Sequence, residues 1–521
     1  MAVDPGGPGD GPAARLIVRL RDLIKDVPAA ELRGGDPEIA GVEFDSRAVT
    51  VGDLFICVVG ADADGHDHAG DAVGRGAAAV LVERFLDLPP DVAQVRVSEA
   101  RRSMAAVAQR FHEFPDGRLG LIGVTGTDGK TTTATLLAEI LLASGRSPGL
   151  ISTVDRWIGT TRLANPEHQT TLSSLESQRL LAEMVAVGND WAVLETSSHG
   201  LDLGRVDGFA FDVALFTRIT SEHLDYHGTV AAYVEAKAGL LDLVAAGGGG
   251  REKWAVLPAE DDRLELLRKR AGTIPVLTYG RGAGADVRGT AVTGSMKGVR
   301  FTAETPWGTA EIASPLVGDF NVDNCLAAIA TAGALGVSLE ECARGVAGFT
   351  GVVGRMQAVV TGQPFEVVID YAHTAESLQN VLGLLARYSS GRLLLVFGGA
   401  GERDTEKRPA MGAVAALNSD YFVIADEDPR GEDRNAIAAD IENGALAAKP
   451  ETPYAMVHDR REAIRHVFER AEAGDTVLLA GKGHENSIIG PEGPVVWDEA
   501  GVAGEILAEM GYAPTARDAG G

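Results

Sequence analysis

"GVTGTDGKTTT", Gly123 to Thr133, follows an apolar run, "LGLI", and leads into a helical stretch, "ATLLAEILLAS". A strand that ends in a glycine-rich turn and passes straight into a helix aims successive backbone N–H groups at one point, where phosphate oxygens bind. Lys130 adds a positive charge there, and Thr131 adds a hydroxyl that can reach a magnesium ion. The match to the general phosphate loop is close without being literal. Gly123 and Gly129 are separated by five residues, with Gly126 between them, where the general pattern has four.

The fold class follows outward from this loop. Apolar runs "LGLIGVT", "WAVLET", "VALFTRI" and "WAVLPA" alternate with helical segments, which predicts a doubly wound, mainly parallel sheet. After "GFTGVVGRM" the alternation restarts with "FEVVIDYA", "RLLLVFGG", "DYFVIA" and "TVLLAG", a further α/β domain of Rossmann-like pattern. Upstream, "LFICVVG" and "AAAVLVE" with "SMAAVAQRFHEF" make a smaller α/β unit. At 521 residues the chain exceeds what one core organises, and three domains are expected: 16–114, 115–350 and 351–512. "EFPDGRLG" reads as a linker, and residues 1–15 and 513–521, rich in Gly, Pro and Ala, as disordered tails.

Composition narrows the function classes. A net charge of −27 argues against general binding to nucleic acid or to an anionic membrane, so any anionic ligand needs a locally positive site. No apolar run approaches the roughly 20 residues that span a bilayer, and the N-terminus lacks a secretory pattern, so a cytoplasmic protein is expected. Cys57, Cys325 and Cys342 are odd in number and far apart, against a disulfide framework or a zinc site.

A kinase or a GTPase would satisfy the loop equally well. Downstream, "WAVLETSSHGLDLGRV" runs from a strand into Glu195, and a carboxylate at the C-terminal end of a strand is where magnesium is held in α/β nucleotide sites. "HLDYHGT" and "YVEAK" add His223, Asp225, His227 and Lys237; taken singly, each His is a surface or packing residue more often than a ligand.

Together "GVTGTDGKTTT", "ETSSHGL", "HLDYHGT", "YVEAK", "DFNVDN", "GRMQ", "DYAHT", "ERDTEKRPAMG" and "GKGHE" occur in the order seen in the Mur ligases, and the chain resembles that family over about residues 40 to 500. The resemblance is to the members that add a diamino acid to UDP-N-acetylmuramoyl-L-alanyl-D-glutamate in peptidoglycan synthesis. It implies a UDP-sugar domain, a central ATPase domain and a C-terminal domain for the incoming amino acid, in a monomer. It also implies ATP and Mg²⁺, and activation of the carboxylate as an acyl phosphate that the amine then displaces.

Residue by residue, the resemblance places ATP on Gly126, Thr127, Asp128, Gly129, Lys130, Thr131 and Thr132, with Asn321, Asn324, Arg355, Asp370 and His373 at the base and ribose. Mg²⁺ falls to Thr131, Glu195 and His223, with Lys237 carbamylated to N6-carboxylysine as a further metal ligand; Lys130, Glu195, His223 and Lys237 form the catalytic set. The UDP-muramyl dipeptide falls to Phe44, Ser46, Ala61, Asp62, Ala63, Gln169, Thr170, Thr171, Ser197, Leu203 and Arg205. The diamino acid falls to Arg403, Glu427, Asp428, Pro429, Arg430, Gly481 and Glu485.

Five positions depart from the family pattern. Asp128 and Arg218 stand where asparagine is usual, Leu172 where proline is, and "EDPR" at Glu427–Arg430 replaces Asp-Asn-Pro-Arg. A guanidinium suits the distal carboxylate of meso-diaminopimelate, whereas an anion at 428 favours the ammonium of L-lysine or L-ornithine. Arg430 tips the expectation toward diaminopimelate. "GGAGERD" lacks the third glycine of a dinucleotide fingerprint, so NAD is set aside. The competing readings are a folylpolyglutamate-synthase-like ligase, against which "DSR…GDLF" and "HLDYHG" argue, and a non-catalytic nucleotide-binding protein, against which the intact Lys130, Glu195, His223 and Lys237 argue.

Overall fold

The structure is a computed structural model that describes residues 16–60, 63–166 and 169–512. Both expected tails, and Ala61 and Asp62, lie outside the described residues. The chain packs as two compact units. One runs to Arg288 and takes in Thr305–Trp307 and Leu326–Cys342; the other comprises Gly289–Glu304, Gly308–Cys325 and the chain from Ala343.

The first unit contains a two-stranded pair, Val18–Arg19 with Glu38–Ile39, and two larger sheets. A five-stranded one runs in the order Glu31–Arg33, Ala93–Arg96, Ala79–Val82, Asp53–Ile56, Gly41–Glu43, parallel except at its first pair. The helix Ala100–Phe111 covers it with Met104, Val107, Ala108 and Phe111. The segment expected to be a linker is instead packed into the unit. Asp116 is 2% exposed, and its Oδ2 accepts from Gln109 Nε2 (3.0 Å) and the Ala210 amide (2.9 Å), partners too distant in sequence to be anticipated.

The larger sheet has the order Thr161–Ala164, Asp155–Ile158, Pro148–Ile151, Trp191–Glu195, Gly120–Thr125, Val213–Phe216, Trp254–Pro258, Val276–Gly280, and every pair from Pro148–Ile151 onward is parallel. The central strand is buried on both faces, as its unbroken apolar run requires. Its glycines admit close neighbours: a Cβ on Gly123 would lie 2.6 Å from Leu240 of the helix Val230–Ala246. That helix carries Lys237, so the tight packing fixes where the lysine enters the site. Strands Val287–Ser295, Gly298–Thr305 and Gly308–Ser314 follow. Their polar, alternating sequence gave no apolar run to announce them.

The second unit is built on the order Gln357–Ala358, Glu366–Asp370, Thr476–Ala480, Leu393–Phe397, Tyr421–Ile424, Tyr454–Met456, parallel except at its first pair. Apolar clusters cover both faces. Among the described residues no helix is long and apolar enough to cross a membrane, and the three cysteines are buried and unpaired.

Candidate functional site

In the first unit, parallel pairing of Gly120–Thr125 with Trp191–Glu195 and Val213–Phe216 brings three strand ends side by side. The crevice outside such carboxyl ends is the usual ligand site of an open α/β sheet. Gly126 turns the loop with φ +151°, and a Cβ there would fall 1.8 Å from Thr217 Oγ1, so only glycine passes. Gly129, at φ +82°, starts the helix Lys130–Ala143. Lys130 Nζ donates to the carbonyls of Gly126 (3.1 Å) and Thr127 (2.8 Å). Asp128 is exposed, and Thr132 is half-buried one turn into the helix.

Glu195 ends its strand at 1% exposure. Its carboxylate accepts from Thr131 Oγ1 (3.1 Å), the Thr153 amide (2.9 Å) and Thr153 Oγ1 (3.2 Å). The donor set is hard oxygen, which fits magnesium. Thr153 was not anticipated; only its following an apolar run, "GLIS", hinted at a strand end. His223 is half-exposed at φ +56°, with its ring 4.5 Å from that of His199 and its Nε2 3.7 Å from Glu222. His199 also packs on Tyr226, and His227 on Tyr233.

Lys237 meets the phosphate loop from the helix Val230–Ala246. It is 1% exposed, its Nζ donates to the Gly126 carbonyl at 2.6 Å, and it sits 4.5 Å above the Tyr233 ring. Tyr233 OH in turn bonds Thr127 Oγ1 at 2.9 Å. Burial first, and the nearby Lys130 ammonium second, hold the Lys237 amine well below the usual lysine range.

Beside Glu195, Thr171 Oγ1 donates to the Glu195 carbonyl (3.1 Å) and accepts from the Ser197 amide (2.8 Å). Arg205 Nη1 donates to Gln169 Oε1 (2.7 Å) and the Thr171 carbonyl (2.6 Å), and Thr170 Oγ1 accepts from Thr153 Oγ1 (3.1 Å). Gln169, Thr170, Thr171, Ser197 and Arg205 are thus one connected polar surface, with Leu203 half-buried near it in sequence. Leu172 is fully buried in the apolar core, which accounts for an aliphatic residue there. Arg218 is exposed, and its carbonyl accepts from the Thr127 amide at 2.7 Å, holding the phosphate loop. Phe44 and Ser46 follow the edge strand Gly41–Glu43 of the five-stranded sheet, and Ala63 lies in the loop beyond Asp53–Ile56; Phe44 is 44% exposed, an aromatic face suited to stacking a base.

In the second unit, Asn324 Nδ2 donates to Asn321 Oδ1 at 2.9 Å. Asp370 accepts from the amides of Met356 and Ala372, and burial raises its carboxyl above the usual range. The Arg355 guanidinium stacks 4.8 Å over Tyr371, with its Nε buried and unpartnered, and His373 Nδ1 lies 2.9 Å from the Tyr371 carbonyl.

The stretch Asp426–Arg434 resolves residue by residue. Glu427 is 6% exposed, and its Oε2 is buried without a partner beside Gly481, whose Cβ would lie 3.1 Å away; burial raises its carboxyl. Asp428 Oδ1 accepts from Lys482 Nζ (2.8 Å) and the Ile489 amide (2.9 Å), so the anion that spoke for a lysine substrate is already neutralised inside the protein. Pro429 is buried, and Arg430, at φ +53°, has its Nε buried and unpartnered. Lys482 Nζ also donates to Glu485 Oε2 (2.5 Å). Arg403 stands exposed on its loop. Lys482 was legible inside "GKGHE" but was passed over for its glycine and glutamate.

A UDP-N-acetylmuramyl-tripeptide synthetase of Roseiflexus sp. (strain RS-1) is 43% identical over 510 residues, covering 95% of this chain and 100% of that protein. A UDP-N-acetylmuramoyl-L-alanyl-D-glutamate–2,6-diaminopimelate ligase of Geobacillus kaustophilus is 41% identical, covering 95% and 100%. A solved structure of a ligase of the latter name superposes with a TM-score of 0.64 at 32% identity, covering 91% of this chain and 96% of that one. The sequence matches the Mur ligase family, catalytic domain at residues 38–121, the Mur ligase middle domain at 124–332 and the Mur ligase, glutamate ligase domain at 354–483. With the phosphate loop, Glu195 and Lys237 placed as described, the chain belongs to the Mur ligase family.

Proposed function

We propose that this chain joins meso-diaminopimelate to the D-glutamate carboxylate of UDP-N-acetylmuramoyl-L-alanyl-D-glutamate, with ATP converted to ADP and phosphate, in peptidoglycan synthesis. The observation that carries the amino-acid identity is the pair of buried, unpartnered atoms at Glu427 Oε2 and Arg430 Nε. A buried acceptor and a buried donor left open cost free energy unless a ligand meets both. The far end of diaminopimelate offers an ammonium and a carboxylate. L-Lysine and L-ornithine offer only the ammonium. The names of the relatives at about 40% identity point the same way.

A carboxylate is a poor electrophile, so the reaction needs activation. Its oxygen attacks the γ-phosphorus, the bond to ADP breaks, and an acyl phosphate forms; the neutral amine then adds to the acyl carbon and phosphate leaves. The amides of Asp128–Thr132 and the Lys130 ammonium hold the transferring phosphate. Thr131, Glu195 and His223 would hold Mg²⁺, which supplies positive charge to the phosphate oxygens. Lys237, buried with its Nζ on the Gly126 carbonyl and held well below the usual lysine range, would add CO₂ as the neutral amine: a C–N bond forms, the proton goes to solvent, and a carbamate results. Gln169, Thr170, Thr171, Ser197 and Arg205 orient the anionic dipeptide.

The test is phosphate release measured with the UDP-muramyl dipeptide and each of meso-diaminopimelate, L-lysine and L-ornithine. Turnover that requires both substrates and prefers diaminopimelate is expected; in the same assay Lys237→Ala loses on the order of 10²-fold, partly restored by short-chain carboxylic acids. Phosphate release with no added substrates, or preference for L-lysine, would overturn the reading.

A further inference from the structure

In the second unit, beside the residues that face the amino acid, one buried cation has no place in the chemistry above. Lys482 is 0% exposed. Its ammonium donates to Asp428 Oδ1 at 2.8 Å and to Glu485 Oε2 at 2.5 Å. Asp428, 7% exposed, carries a full charge into a site where a neutral amide would need no counter-ion. The same Oδ1 takes the Ile489 amide at 2.9 Å, and the Ile489 carbonyl takes the Arg430 amide at 2.8 Å. The chain Lys482, Asp428, Ile489, Arg430 is therefore continuous. It ends on a residue whose backbone is held at φ +53°, a conformation that a non-glycine residue keeps only when its surroundings enforce it.

Resting on the amino-acid assignment made above, we propose that Lys482 is a positioning residue for diamino-acid selection. It cancels the Asp428 charge, and so allows Asp428 to pin Ile489 and Ile489 to pin Arg430, whose free Nε then faces a ligand carboxylate. Without the lysine, the Asp428 carboxylate stands uncompensated two residues from the guanidinium. It then competes with the ligand carboxylate for that guanidinium, and the turn loses its anchor. Lys482 also engages one oxygen of Glu485, whose other oxygen accepts from Tyr371 OH at 3.3 Å. Asp428 and Glu485 are thereby held by one ammonium. The role touches no reacting atom.

The full-length enzyme tests this with Lys482→Met and with the double variant Lys482→Met/Asp428→Asn. Lys482→Met is expected to raise the KM for meso-diaminopimelate at least tenfold while the KM values for ATP and the UDP-muramyl dipeptide change less than twofold. The double variant, whose amide still accepts from Ile489 and needs no counter-ion, is expected to return the diaminopimelate KM to within about threefold of wild type. Equal losses for all three substrates, an unchanged diaminopimelate KM in Lys482→Met, or a double variant no better than the single one would each overturn the proposal. Where Lys482→Met does not fold, the double variant decides alone: a diaminopimelate KM more than tenfold above wild type overturns it, and a smaller rise supports it. Amide exchange at Arg430 and Ile489 gives a readout independent of substrate. Faster exchange in Lys482→Met supports the anchor and unchanged exchange refutes it, even where wild-type enzyme fails to use diaminopimelate and the functional reading falls by itself.

Discussion

Glu432 is one of five acids between Asp426 and Arg434, and each has a different physical task. Asp426 pairs with Arg434, Asp428 with Lys482, and Asp433 caps the helix Arg434–Ala448 by accepting from the Asn435 amide. Glu432 receives both arms of Arg408, a guanidinium with no exposure, at 2.7 Å each. Those bonds pull its carboxyl from 4.5 down to about 2. Because the folded value lies below the unfolded one, the stabilisation is complete above pH 4.5 and is lost as pH falls through the window toward 2. Glu432→Gln should therefore cost about 1.5–3 kcal/mol at neutral pH and progressively less below pH 4.5, read by denaturant titration at several pH values; a cost independent of pH would contradict the pairing. The sequence alone allowed this stretch to be read as a substrate selector, and Arg430 was legible there. The cancelling of Asp428 was not, because Lys482 lies 54 residues away and pairing across a sheet leaves no local pattern.

The helix Lys407–Asn418, which carries Arg408, packs on Arg434–Ala448 so closely that backbone meets backbone. A Cβ on Gly412 would lie 1.9 Å from the Ile441 carbonyl, and one on Gly444 would lie 1.9 Å from that of Pro409. Neither contact can be relieved by turning a side chain, so Gly412→Ala must push the helices apart, at roughly 1–3 kcal/mol. For a unit of this size that corresponds to a melting temperature lower by roughly 2–12 °C, and a shift under 1 °C would mean the crossing is looser than described. At this scale the sequence was most readable. Apart from Pro148–Ile151, the parallel strands that anchor site residues were announced by apolar runs, since a strand buried on both faces has no other composition open to it. The strands in Val287–Ser314 were missed for the converse reason: their residues are polar and half-buried, and propensity gives no sharp boundary. Thr153 was missed because its strand, Pro148–Ile151, offered only four residues.

Across the whole molecule, the proposed function requires a net charge of −27 to admit two polyanions, ATP and a UDP-linked dipeptide. Charges of one sign summed over the surface repel such ligands at long range, while Lys130 and Arg205 attract them at contact. The two effects separate by distance, and salt separates them experimentally. At about 0.01 M ionic strength the screening length is roughly 30 Å and the whole acidic surface acts on an approaching ligand, whereas at about 0.15 M it is roughly 8 Å and only the lining of the site is felt. Raising salt over that range should therefore lower the KM for both anionic substrates, because the long-range repulsion is removed first. Beyond it, screening reaches the contact pairs, which being partly buried yield later, and KM should climb again. A minimum near physiological salt is the expected outcome of steady-state kinetics at fixed free Mg²⁺. A KM that rises steadily from the lowest salt would mean that the basic lining, and not the acidic envelope, dominates the field along the approach.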